Sequence, residues 1–226
     1  MANQLDLEEQ EQLDELKAFW KKYGTLITIV LTVALAAYAG WNIYQRWQQN
    51  QASQAAALFE EVERHAVAGD IPKLDRVFAD MKDKYPNTNF AQQAGLVVSR
   101  VYFEAAKPDQ AKAALTWVAE KSSDDGYQAI AKLRLASVLA ESAAFDEALK
   151  LLSGVFPGEF APLVADRMGD IYMLQGKKVE ARAQFEKAFK GLEERVEYRR
   201  LVEVKLNALG VNPAPVVPVV PVEGSK

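Results

Sequence analysis

Few residues in this chain are placed to do chemistry. His65 is the only histidine, and there is no cysteine. That removes thiolate catalysis, zinc–thiolate sites and disulfides together. It also lets the chain fold in an oxidising compartment without mispairing, although it assigns no compartment. Asp124-Asp125 precedes Gly126 between two apolar-periodic segments. A carboxylate there caps a helix N-terminus or closes a turn. Glu193-Glu194 falls on what reads as the solvated face of a helix. No His, Cys or carboxylate cluster has metal-ligand spacing. Gly95, Gly154 and Gly158 stand alone or in turns, so no phosphate-cradling loop forms. The net charge of −4 offers no basic surplus for neutralising phosphates, which argues against nucleic acid as a partner. The residues predict a protein that is not an enzyme and needs no metal or cofactor.

What remains is the scaffold. Between Lys22 and Arg46 lie 23 consecutive uncharged residues. About 20 helical residues cross a hydrocarbon core of about 30 Å. Trp20 and Tyr23 flank one end, and Trp41, Tyr44 and Trp47 the other, as two headgroup regions favour. A cleaved signal peptide is the rival reading, with Ala37-Tyr38-Ala39 as its cleavage site. The stretch is longer than a signal core and its leader is acidic, which favours an uncleaved anchor. Lys17, Lys21 and Lys22 precede the span and only Arg46 follows closely, so the N-terminal side is expected in the cytosol. The larger C-terminal part is then translocated. Thr28, Thr32, Ala36 and Gly40 recur every four residues. Such a stripe of small residues suits docking against a partner helix, although an Ala-rich span also produces the spacing by chance.

The soluble part repeats. Gly169, Tyr172, Gly176, Ala181, Phe185 and Ala188 fall at offsets 0, 3, 7, 12, 16 and 19. This unit resembles the tetratricopeptide repeat. Gly169 and Ala181 let two antiparallel helices approach, Tyr172 and Phe185 fill the space between them, and Gly176 supplies a left-handed C-cap. The same offsets hold for Ser99, Tyr102, Ala106, Ala111, Leu115 and Val118, and for Ala136, Leu139, Ala143, Ala148, Leu152 and Val155. A weaker unit runs Val62, His65, Gly69, Leu74, Phe78 and Met81, which puts His65 at a packing position. About four units would stack into one continuous core. Gly191 to Leu209 reads as a polar capping helix, with Leu192, Val196, Leu201, Val204 and Leu206 among charges. The expected organisation is an acidic leader (1–22), an anchor (23–45), a repeat domain (46–210) and an extended, disordered Pro/Val tail (211–226). Nothing between Arg46 and Gly69 breaks a helix, so the anchor is expected to continue into the first repeat. The fold class is all-α: one transmembrane helix, then a helical-hairpin solenoid with a C-terminal cap.

In tetratricopeptide arrays the first helices of successive units line a binding face. By that register the face here holds Leu96, Arg100, Phe103, Leu133, Ser137, Asp166, Asp170 and Met173. Mixed apolar and charged groups suit an extended polypeptide, and the Lys/Arg cluster that captures an acidic C-terminal peptide is missing. For each residue, packing between neighbouring units is the competing role.

The whole order resembles the YfgM family of Gram-negative bacteria. The resemblance runs from Leu7 to Gly210, and Phe19-Trp20-Lys21-Lys22-Tyr23-Gly24 is its most recognisable junction. It implies an inner-membrane protein with periplasmic repeats, ancillary to the SecYEG translocon. It also implies work beside a PpiD-like membrane-anchored chaperone in the transfer of newly secreted polypeptides. Two other roles stay open: a scaffold for envelope assembly or division, and a regulator acting through a leader face of Leu5, Leu13, Leu16 and Phe19.

Overall fold

The computed structural model describes residues 7–213. Leu5 and most of the Pro/Val tail lie outside them. Among the described residues every regular element is helical. The chain divides into two units, Met1–Ser53 and Gln54–Lys226.

Helix α1 runs unbroken from Leu7 to Ala68, 62 residues. Its first unit carries the only described helix long and apolar enough to span a membrane, with a mean hydropathy of 1.8 over 18 residues. Leu26, Ile29, Val33, Leu35 and Ile43 on it are all exposed. This stretch of α1 is therefore not a buried core segment, whereas Ala55 and Val62 near the end of the helix are buried. The Thr28 hydroxyl donates to Gly24 O at 2.8 Å, and Thr32 to Thr28 O at 2.7 Å. Both hydroxyls are thus satisfied inside the helix, and the apolar part of each side chain is left to face outward. A side chain at Gly40 would meet nothing within 4 Å.

The second unit is four helical hairpins and a cap. The end of α1 pairs with α2 (Ile71–Lys84), α3 (Asn89–Glu104) with α4 (Pro108–Lys121), α5 (Asp125–Glu141) with α6 (Phe145–Leu152), and α7 (Ala161–Leu174) with α8 (Lys178–Gly191). Helix α9 (Glu197–Ala208) packs on α8. Asp70, Thr88 and Asp124 cap the starts of α2, α3 and α5 with their side chains. Each N-cap satisfies an amide that the first turn leaves open.

One detail shows that the repeats are physical and not only statistical. Gly69, Ala106, Ala143 and Gly176 all have positive φ, at 65°, 55°, 59° and 74°. These are the four residues at offset 7. In each case the next amide reaches back five residues: Asp70 to His65 O, Lys107 to Tyr102 O, Ala144 to Leu139 O and Lys177 to Tyr172 O, all between 2.8 and 3.0 Å. One left-handed residue thus closes every first helix and reverses the chain. The positions at offset 12 are 0 % exposed in every unit: Leu74, Ala111, Ala148 and Ala181. At offset 16, Phe78, Leu115, Leu152 and Phe185 are buried beside them. Tyr102 donates its hydroxyl to Asp75 of α2, and burial beside that carboxylate pushes the phenol well above its ordinary range.

Several expectations change. Val155 does not pack at offset 19: α6 ends at Leu152, Val155 is exposed, and Phe156 joins the core instead. Gly95 stands alone, and its role is close packing. It lies inside α3, where a Cβ would collide with Val118 Cγ2 of α4. The cap does not begin at Gly191. Helix α8 reaches that residue, whose backbone lies so close to Pro162 that a Cβ would meet its ring carbon at 2.8 Å. The chain then turns extended at Leu192, which packs into the terminal core, so Glu193-Glu194 sits in a connection and not on a helix face. On α9 the buried pair is Val202 and Leu206, while Leu201 and Val204 face solvent.

Candidate protein-binding groove

The first helices of the units present their side chains in a fixed order. The residue three before the small position is a packing residue. There, Leu96 is buried in the core and Leu133 is packed against it. Asp166 is 0 % exposed, so it is not on an open face either. Leu96 and Asp166 are therefore corrected from groove residues to contacts between neighbouring elements. The cause is geometric: that position points at the next first helix, which for Asp166 is the cap α9.

Asp166 shows what the cap does. Lys205 Nζ lies 2.8 Å from both of its oxygens, and the Tyr198 hydroxyl donates to Oδ2 at 2.6 Å. Lys205 also reaches Asp170 Oδ1 at 2.7 Å and lies over the Phe185 ring at 5.2 Å. Burial raises the Asp170 carboxyl above its usual range, partly opposed by Lys205. Burial and the Asp166 carboxylate push the Tyr198 phenol far up. A buried carboxylate is tolerated only when paired and hydrogen-bonded, and α9 supplies both. Asp170 is therefore engaged as well, and the two carboxylates expected in the groove form a latch for the cap.

The open part of the face lies between α3 and α5. A cleft of about 240 Å³ is lined by Phe103, Leu115 and Val138, with Arg100, Arg134, Ser137 and Glu141 around it. Phe103 is 38 % exposed, as is Met173 further along. The Ser137 hydroxyl is occupied by Leu133 O at 3.1 Å. Arg134 donates to Leu96 O at 3.3 Å, which ties α5 to α3. Of the expected residues, Arg100, Phe103 and Ser137 are brought together here, Met173 stands apart on α7, and Leu96, Leu133, Asp166 and Asp170 are used in packing. Arg134, Val138 and Glu141 were missed. They fall outside the family's binding offsets, and only the meeting of α3 with α5 makes them neighbours.

A tetratricopeptide repeat-like domain profile matches residues 17–211. A protein of Neisseria gonorrhoeae named an ancillary SecYEG translocon subunit is 32 % identical over 204 residues, covering 90 % of this chain and 98 % of its own length. The chain belongs to the YfgM family. Relatives of the same name occur in Haemophilus influenzae, at 27 % identity over 80 % of this chain and 89 % of its own length, and in Escherichia coli, at 24 % over 90 % and 97 %. The matched region thus takes in the anchor, all four hairpins and the α9 cap of a YfgM chain, and the α3–α5 cleft lies within it.

Proposed function

We propose that this chain is an ancillary subunit of the SecYEG translocon that binds polypeptide segments on its periplasmic side. Residues 23–45 cross the inner membrane once, with the N-terminus held in the cytosol by Lys17, Lys21 and Lys22. The stripe Thr28, Thr32, Ala36 and Gly40 docks the anchor on a partner helix. The repeat domain offers the cleft around Phe103 and Val138 to newly secreted chains, and passes them to a PpiD-like membrane-anchored chaperone. The observation that carries this reading is α1 itself, one helix that is uncovered and apolar in its first half and builds the first repeat with its end.

The test is purification of the full-length chain in mild detergent followed by mass spectrometry. Translocon subunits and a membrane-anchored chaperone should co-purify, and a periplasm-dependent reporter fused after Leu209 should be active. Phe103→Ala should lose crosslinks to secreted chains while keeping the translocon. Co-purification of envelope-assembly or division proteins without translocon subunits would replace this reading with the scaffold one.

A further inference from the structure

The cleft between α3 and α5 is apolar inside and carries charged groups along its rim. Arg100 and Glu104 lie four residues apart on α3, and Arg134 and Glu141 lie seven apart on α5. Successive first helices run the same way, because each hairpin returns the chain to its starting end. Both cations therefore stand toward one end of the cleft and both carboxylates toward the other, with Phe103, Leu115 and Val138 between. The charges are largely unspent. Among the described residues neither Arg134 nor Glu141 has an opposite charge within 4.0 Å. Arg100 reaches Glu104 only at 4.0 Å, with both side chains about two-thirds exposed, at 65 % and 66 %. Burial and the neighbouring Arg100 together depress Arg134, so a carboxylate arriving there relieves repulsion between two guanidiniums.

The spacing sets what fits. Seven helical residues separate Arg134 from Glu141 by about 10 Å. In an extended chain, residues i, i+2 and i+4 share one face and span about 13 Å. Flexible acidic and basic side chains take up the difference. The apolar space of about 240 Å³ has room for one bulky side chain at the middle position. We infer that this cleft selects extended polypeptide segments of the pattern acid–x–apolar–x–base, with Leu, Met or Phe in the cleft, the acid at Arg134 and Arg100, and the base at Glu141. This rests on the reading of the cleft as a polypeptide site and names its substrate class. A membrane-proximal protein that meets unfolded chains thereby prefers segments of mixed charge around one hydrophobe over purely apolar ones.

The experiment measures binding of fluorescent peptides to the full-length chain in detergent at low salt. One peptide carries Asp-Ala-Leu-Ala-Lys, one Asn-Ala-Leu-Ala-Gln, and one Lys-Ala-Leu-Ala-Lys. Exposed ion pairs contribute about two- to fivefold each, so the first should bind about tenfold tighter than the second. Arg134→Gln should remove the advantage of the Asp, and Glu141→Gln that of the Lys, each measured as the ratio of charged to neutral peptide affinity on the same variant. Neither residue belongs to the buried core, and glutamine keeps a donor amide in place of the Arg134 guanidinium, so the fold is retained. Equal affinity for the charged and neutral peptides, with both weakened by Phe103→Ala, would overturn the charge pattern and leave the cleft standing. Binding of none of the peptides, or binding indifferent to Phe103→Ala, would overturn the cleft itself and this inference with it.

Discussion

Replacing Ala106 and Ala143 by glycine should stabilise the protein. Both residues are exposed and hold positive φ, at 55° and 59°, in a turn whose two equivalents are glycines. An L-residue in the left-handed region is strained by about 1–2 kcal/mol. Glycine relieves that strain but loses about 0.5–1 kcal/mol through the freedom of the unfolded chain. The net gain is about 0.5–1 kcal/mol at each site, and separate repeats should add. For a chain of this size about 1 kcal/mol moves the melting midpoint by about 2–4 °C. The reverse changes, Gly69→Ala and Gly176→Ala, should cost a similar amount. An added Cβ meets nothing within 4 Å at either glycine, so only the backbone is probed. Thermal unfolding of the full-length chain in detergent, followed by circular dichroism, reads all four. Ala113→Gly on the exposed face of α4 is the control and should destabilise by about 1 kcal/mol. If Ala106→Gly destabilises as much as the control, residue 106 is not left-handed in solution and the argument fails.

Gly169→Leu should lower the midpoint by the cost of overpacking, about 1–3 kcal/mol, because even a Cβ there stands 2.5 Å from the Phe185 ring; an unchanged midpoint would mean that α7 and α8 are not in close contact. Lys205→Met should cost about 3 kcal/mol by stranding the Asp166 carboxylate, and adding Asp166→Asn should recover part of it; denaturant unfolding measures both, and the absence of coupling would refute the latch. Photo-crosslinking probes at Thr32 and Ala36 should capture another membrane protein more than probes at Val30 and Leu31, and equal yields all round would reduce the anchor to a tether.

The repeats were legible because their signal is local. A small residue, an aromatic, a left-handed turn and an alanine at set offsets describe one hairpin, and each hairpin lies within a few dozen residues. Ala106 and Ala143 could be placed at the turn although alanine does not advertise it, since the neighbouring units carried glycine there. The binding face was less legible. Leu96 and Asp166 occupy family binding offsets, yet each is taken by the element stacked next to it, which the residues of one unit do not reveal. Arg134 and Glu141 face the cleft only because α5 lies against α3. The packing role of Gly95 was not legible for the same reason: its partner, Val118, belongs to the second helix of the hairpin. Val155 failed because α6 stops after two turns, and which apolar residues of α9 are covered was not legible because apolar residues scattered in a charged helix do not say which side packs.

The latch between α9 and α7 also gives the array a terminus. A stack of similar hairpins has no inherent length, since the last one offers the same surface to a newcomer that its predecessors offered to their neighbours. Here that surface contains a carboxylate that must be neutralised, and the chain carries its own lysine and tyrosine to do it. A foreign helix without both groups would strand Asp166 in an apolar setting. The surface of α7 that a further hairpin would cover is thus taken by the chain's own α9.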